Sequence, residues 1–229
     1  MTPININGKY APLWSSDVRY YVVTGGRGSG KSFAVDLFLS HLTFERDHRV
    51  LFTRYTMTSA HLSIIPEFVE KINLIGGEGH FNINKTEIKN EETDVEVLFR
   101  GIKTSNGNQT ASLKSLQGMS TWVVDEAEEL VDETIFDTID LSIRNNKVQN
   151  RVILILNPTT KEHWIYKRFF QDVGVSDGFN GIRGDVCYIH TDYRDNVDNL
   201  SDSFIAGVDK MRLNHPSKYR HKILGGWLE

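Results

Sequence analysis

The stretch TGGRGSGKS at residues 24–32 constrains this chain more than any other feature of it. Before it, RYYVVTG ends at Gly25 and reads as a short buried strand. After it, KSFAVDLFLSHLTF places Ala34, Leu37, Phe38 and Leu42 at helical spacing. Gly25, Gly30, Lys31 and Ser32 satisfy G-x-x-x-x-G-K-[ST] in the strand-to-helix position where that pattern holds phosphates. In such a loop, here Gly25, Gly26, Arg27, Gly28, Ser29 and Gly30, backbone N–H groups curl around a β-phosphate and the helix N-terminus faces the anion. Lys31 then reaches the β- and γ-oxygens, and Ser32 offers one Mg²⁺ oxygen. A glycine-rich turn with a solvated lysine would leave the order of these residues unexplained. The expected ligand is ATP with Mg²⁺.

A phosphate loop needs a second metal ligand, usually an Asp that ends an apolar strand, and Asp125 after TWVV fits. Glu126 follows it, placed to orient and deprotonate an attacking water, which indicates hydrolysis. The competing reading is an acidic start to a helix near Ala127, and it is kept for Glu128 and Glu129. RVILILN ends in Asn157 before Pro158, a polar amide at the same sheet edge, expected to sense a γ-phosphate or to cap a turn.

Strands alternate with helices, which points to an α/β fold with a mainly parallel sheet flanked by helices. RVLFTR (49–54), STWVVDE (120–126), RVILILN (151–157) and DVCYIHT (185–191) are the further strands. SAHLSIIPEFVEKINLI should be a helix that Pro66 kinks or splits. HFNINKTEIKNEETDVEVLFRG has period-2 stretches and reads as an antiparallel β insertion. KTSNGNQTAS (103–112) reads as loop, and VGVSDGFNGIRG (173–184) as a mobile loop. SDSFIAGVDKMRLN and SKYRHKILG should be closing helices, each capped by its first Ser. At 229 residues without a low-complexity linker, a single domain over 1–229 is expected.

A net charge of -4 gives no global nucleic-acid signature, so any DNA contact is local or weak. One cysteine, Cys187, excludes an intramolecular disulfide, places no demand on an oxidising compartment, and reads as a packed core residue. The N-terminus lacks a signal-peptide pattern, and no window is apolar enough for a membrane span. Eight histidines without clustering make a zinc site unexpected.

TGGRGSGKS, TWVVDEAEE and ILILNPTT, together with LKSLQG, NPTTKEHWIYKRF, HTDYRDN and HPSKYRHKILGGW in this order, resemble the ATPase domain of the large terminase subunit of tailed bacteriophages. The likeness covers essentially the whole chain. It implies a RecA-like P-loop NTPase with a β-hairpin insertion, working as a homo-oligomeric ring on the portal of an empty capsid. The implied function is ATP hydrolysis that threads double-stranded viral DNA into a procapsid, in the cytoplasm of an infected bacterium, with portal protein and small terminase subunit as partners. Arg27 matches the family's loop arginine and Asn157 lies in its coupling segment. Two departures stand out. The family's C-terminal nuclease domain would begin where GGWLE ends, so this chain is expected to be an N-terminal piece or the product of a split gene, without metal-dependent DNA cleavage. The family's upstream Gln motif has no counterpart, leaving Tyr10 or Trp14 either to stack on adenine or to fold down the terminus.

Ring motors often complete each site with an arginine from the next subunit; Arg54, Arg100 and Arg144 are the candidates, each equally well explained as a surface or ion-paired residue. The basic runs at 161–168 and 218–222 read as phosphate contacts or, preferably, as solvated helix faces. Two other functions stay open: a P-loop phosphotransferase acting on a small acceptor, which Glu126 argues against, and a nucleotide-gated binding module with little turnover.

Overall fold

The computed structural model describes residues 4–57, 62–104, 107–108 and 117–229. In chain order the strands are β1 (Tyr20–Gly25), β2 (Arg49–Arg54), β3 (Phe81–Ile83), β4 (Glu87–Asn90), β5 (Glu96–Gly101), β6 (Lys103–Thr104), β7 (Gly107–Asn108), β8 (Thr121–Asp125), β9 (Arg151–Leu156), β10 (Gly181–Arg183) and β11 (Val186–Thr191). Nine of them form one sheet in the order β10-β11-β1-β9-β8-β2-β5-β4-β3, and β6 pairs with β7. The α/β class with a mainly parallel sheet is as expected. The chain divides into two compact units, one built mainly from Ser32–Leu154 and the other from Asn5–Lys31 with Ile155–Glu229.

In the first unit β2 runs parallel to both β5 and β8, while β3, β4 and β5 are antiparallel neighbours. The insertion expected at 79–101 therefore extends the sheet at its edge. Every residue of β8 is buried, as a strand covered on both faces requires. Trp122 shows how tightly: it stacks on Phe136 at 5.3 Å between centroids, and its Nε1 donates to Thr53 Oγ1 at 2.9 Å. Phe136 belongs to the helix Glu133–Asp140, whose first turn is capped by Asp132. Between β8 and that helix, Ala127–Glu129 make only a short 3₁₀ turn.

Pro66 neither kinks nor splits its helix. The helix is Ile64–Leu74, so Pro66 falls in the first turn, where a missing N–H has no intrahelical carbonyl to lose. The beginning of the helix expected there, at 59–61, lies outside the described residues, as does most of 103–112.

In the second unit β1 pairs parallel with β11, and β10 pairs antiparallel with β11. The segment 173–184 thus differs from the loop expected of it. It supplies β10, buries Val175, and its Asn180 side chain brackets the backbone of His190, accepting from N and donating to O. Its glycines had masked a strand of only three residues. Ser201 caps the helix Asp202–Asn214 as expected. Ser217, by contrast, lies inside a turn opened by Pro216, and the chain continues as a π-helical turn over Tyr219–Ile223. Cys187 is fully buried and its thiol is pushed up to about 11 by that burial, as suits a core residue. No helix among the described residues is long and apolar enough to cross a membrane.

Candidate functional site

The glycine-rich loop at 25–30 leaves β1 and turns into the helix Lys31–Leu42. Lys31 is buried, with its ammonium, which has three N–H donors, within hydrogen-bonding distance of four acceptors: Gly25 O at 3.1 Å, Gly26 O at 3.0 Å, Ser29 Oγ at 3.2 Å and Asn157 Oδ1 at 3.1 Å. Two of the expected site residues, far apart in sequence, thus meet directly. Arg27 is exposed, and its backbone N–H donates to Lys222 O at 2.9 Å.

The loop is braced from behind by segments whose role the sequence did not reveal. A Cβ on Gly26 would sit 1.8 Å from Ile223 O, and one on Gly225, which has φ +71°, would sit 2.5 Å from the Gly25 carbonyl carbon. Only glycines allow this approach. Asn196 Nδ2 donates to Gly28 O at 2.9 Å, linking the HTDYRDN segment to the loop. His190 bridges Thr24 Oγ1 at 2.9 Å and Leu224 O at 3.0 Å. A carbonyl can only accept, so Nε2 carries the hydrogen and Nδ1 accepts from the Thr24 hydroxyl. Burial lowers the pKa of this imidazole, favouring the neutral ring.

Tyr10 belongs to the same support. It is 2% exposed, and its hydroxyl lies 3.0 Å from Ser29 O and 2.6 Å from Thr191 Oγ1. Its ring is therefore not available to stack on adenine. Trp14 remains 40% exposed.

Asp125 ends β8 and Glu126 follows in a left-handed conformation, φ 53° and ψ 46°. That conformation is uncommon for a residue with a Cβ and collects at functional sites. Arg54, the last residue of β2, lies beside Asp125 because β2 and β8 are parallel with Thr53 opposite Val124. Its Nε and one Nη approach Asp125 Oδ2 at 2.7 and 2.6 Å, and Nε is 3.7 Å from Glu126 Oε2. Of the three arginines considered for a role between subunits, Arg54 is thus engaged within its own chain, while Arg100 donates to Thr86 O and Phe99 O and Arg144 is exposed. Burial lifts the Glu126 carboxyl above the ordinary glutamate range; Arg54 opposes the shift and Asp125 adds to it.

Sequence reasoning missed Asp36. It sits in the helix that carries Ser32, is buried, and its Oδ1 has no hydrogen-bond partner among the described residues. Burial first, then the charge of Asp125, lifts its pKa well above the usual aspartate value. An acid inside the otherwise apolar run AVDLFL was the available signal.

Ser32 and Asp125 offer hard oxygen ligands, the chemistry Mg²⁺ prefers. No group of three or more His, Cys, Asp or Glu among the described residues is arranged to hold a metal. A cation here would complete its shell with phosphate and water, which is how Mg²⁺ is usually bound beside nucleotides. The basic run at 161–168 carries exposed ion pairs, Lys167 with Glu162 nearby and Lys161 with Glu229, distant in sequence, in keeping with a solvated face.

No curated protein matches the chain in sequence. Solved structures do match in fold. The large terminase of a thermophilic bacteriophage, also solved in complex with ATP-gamma-S, superposes with a TM-score of 0.75 at 13% identity, covering 98% of this chain and 54% of that one. This chain therefore spans about half the length of that protein. The large terminase ATPase domain of Thermus phage P74-26 gives a TM-score of 0.68 at 16% identity, over 97% of this chain and 92% of that domain. The N-terminal domain of the DNA packaging ATPase from bacteriophage phi29 gives 0.59 at 16% identity, over 80% and 95%. The family profile described as phage terminase large subunit matches residues 17–226, nearly the full length, and the chain belongs to that family.

Proposed function

We propose that this chain hydrolyses ATP and that the hydrolysis drives double-stranded viral DNA into a procapsid. The observation that carries the reading is the Lys31 ammonium held against Gly25, Gly26 and Asn157 at the turn from β1 into its helix. These carbonyl and amide oxygens hold in place a cation that a γ-phosphate would claim. Loop N–H groups and the helix N-terminus add the remaining positive field.

Each residue has a task. Lys31 and the backbone of Gly28–Ser32 bind the phosphates, and Arg27 brings a further positive charge beside them. Glu126 holds the attacking water and takes its proton, and its raised pKa brings it closer to the working pH of a base. Asn157, tied to Lys31, reports the state of the γ-phosphate to the segment that follows it. Ser32 and Asp125 would hold Mg²⁺, which neutralises charge developing on the transferred phosphoryl group. The phosphotransferase alternative has no residue speaking for it that outweighs Glu126.

The wider setting is a proposal of the same kind. It comprises a homo-oligomeric ring on a portal in the cytoplasm of an infected bacterium, small terminase subunit and portal protein as partners, and weak, salt-sensitive contact with DNA. Solved relatives described as a DNA packaging motor of Phi-28 and a viral genome packaging motor assembly of Phi-29 support the assembly. The test is phosphate release from ATP and Mg²⁺ over a range of protein concentrations, with and without double-stranded DNA, using Glu126→Gln as blank. Release above the blank that rises faster than linearly with protein or with DNA is expected. Release equal to the blank, with ATP still bound, would replace the motor by a nucleotide-gated binding module.

A further inference from the structure

We propose that Arg54 is a built-in counter-cation, which holds the Asp125 and Glu126 carboxylates and must yield Asp125 to an incoming divalent cation. The inference rests on the reading of Asp125 as the metal-binding acid.

Two adjacent carboxylates, one of them 4% exposed, would repel each other and suffer desolvation without a compensating charge. Arg54 supplies that charge from the end of β2. Asp36 and Glu67 add to the negative field it experiences. The contact geometry suits exchange. Both guanidinium nitrogens converge on the single oxygen Oδ2, unlike the two-oxygen fork of a permanent arginine–carboxylate pair. Glu126 Oε2 stands 3.7 Å from the same Nε, so the guanidinium reaches a second carboxylate by a small rotation.

A divalent cation on Asp125 repels the guanidinium, and Arg54 then rests on Glu126 and fixes its orientation. Arg54 is on this account a positioning residue: by occupying Asp125 it lowers the affinity of that carboxylate for metal, and it makes metal entry depend on nucleotide, whose phosphates supply the missing negative charge. Metal binding and the Arg54–Asp125 pair are mutually exclusive, so each must weaken the other by the same factor.

Mn²⁺ serves as the probe, titrated by electron paramagnetic resonance into the nucleotide-free chain. Arg54→Gln should bind Mn²⁺ on the order of tenfold more tightly than wild type, and Arg54→Gln with Asp125→Asn should lose that gain. Equal Mn²⁺ affinity in wild type and Arg54→Gln overturns the proposal. If Asp125→Asn alone binds Mn²⁺ with ATP as well as wild type does, the reading of Asp125 fails instead. A measurement on the wild-type chain guards against a misfolded variant: the Arg54 Nε–H resonance, assigned by its loss in Arg54→Lys, should shift on adding Mg²⁺ with ATP-gamma-S. An unmoved resonance under saturating ligand overturns the handover.

Discussion

The ammonium of Lys31 lies 3.1 Å from the amide oxygen of Asn157, a bond between the phosphate loop and the residue that follows β9. Hydrogen bonds to a charged group contribute about 1.5–3 kcal/mol. Asn157→Ala should therefore lower kcat/KM for ATP by roughly ten- to a hundredfold. Asn157→Asp should weaken ATP binding further than Ala does, because a carboxylate there pairs with Lys31 and repels the incoming phosphate. Isothermal titration with ATP separates the two variants; tighter binding by the Asp form would show that Asn157 does not face a phosphate.

The pH dependence of turnover should carry the signature of Glu126. Its pKa is raised, chiefly by burial, so the ionised base is lost as pH falls through a value above the ordinary glutamate range. The acid limb of kcat/KM should accordingly lie above that range. Glu126→Gln should remove about two to four orders of magnitude of turnover and leave ATP binding intact. A steady-state pH profile checks both points, and an acid limb at the ordinary carboxylate value would assign the base elsewhere.

Gly225→Ala should unfold the support of the phosphate loop. The new Cβ would meet backbone at 2.5 to 2.7 Å, at a φ of +71°. Gly79 has a φ of +86° with nothing within 4 Å, so Gly79→Ala measures conformational strain alone, about 1–2 kcal/mol. Urea denaturation should give Gly225→Ala at least twice the loss of Gly79→Ala, accompanied by weaker ATP binding that Gly79→Ala does not share.

Mild acid should loosen the structure through its buried imidazoles. The pKa of His190 is lowered by burial, so its contribution to stability is complete above the unfolded value of about 6.5 and is lost as pH falls through the lower folded value. His48, also lowered by burial and by Arg151, acts in the same direction. Between about pH 7.5 and 5.5 the melting temperature should drop, and His190→Gln should show a shallower drop because glutamine keeps a donor and an acceptor without gaining a charge. Thermal melts across that range decide it, and an unchanged slope would remove His190 as the cause.

Much of this was legible in the sequence because the signals were local. Lys31, Ser32, Asp125 and Asn157 stand at strand or helix ends that apolar runs such as TWVVD and RVILIL mark unmistakably. What escaped reading were pairings set by register and tertiary packing. Arg54 lies beside Asp125 only because β2 and β8 are parallel neighbours, and no property of RVLFTR alone announces that. Tyr10 invited a ligand-stacking role, yet burial spends its ring on the core and its hydroxyl on Ser29. Pro66 looked like a breaker because its effect depends on whether it falls in the first turn or a later one, and the helix start was invisible.

The closeness of Gly26 to the Ile223 carbonyl gives the loop motif a second origin. A glycine there would ordinarily be attributed to the needs of a bound phosphate, but the backbone crowding its Cα belongs to a turn far downstream, near the end of the sequence. Any change in the Tyr219–Ile223 turn is then felt as a change in the floor beneath the loop, without a side chain having to carry the message. Swapping a phosphate loop from another ATPase into this chain would be judged first by how well it fits the Tyr219–Ile223 turn, and only afterwards by how well it fits a nucleotide.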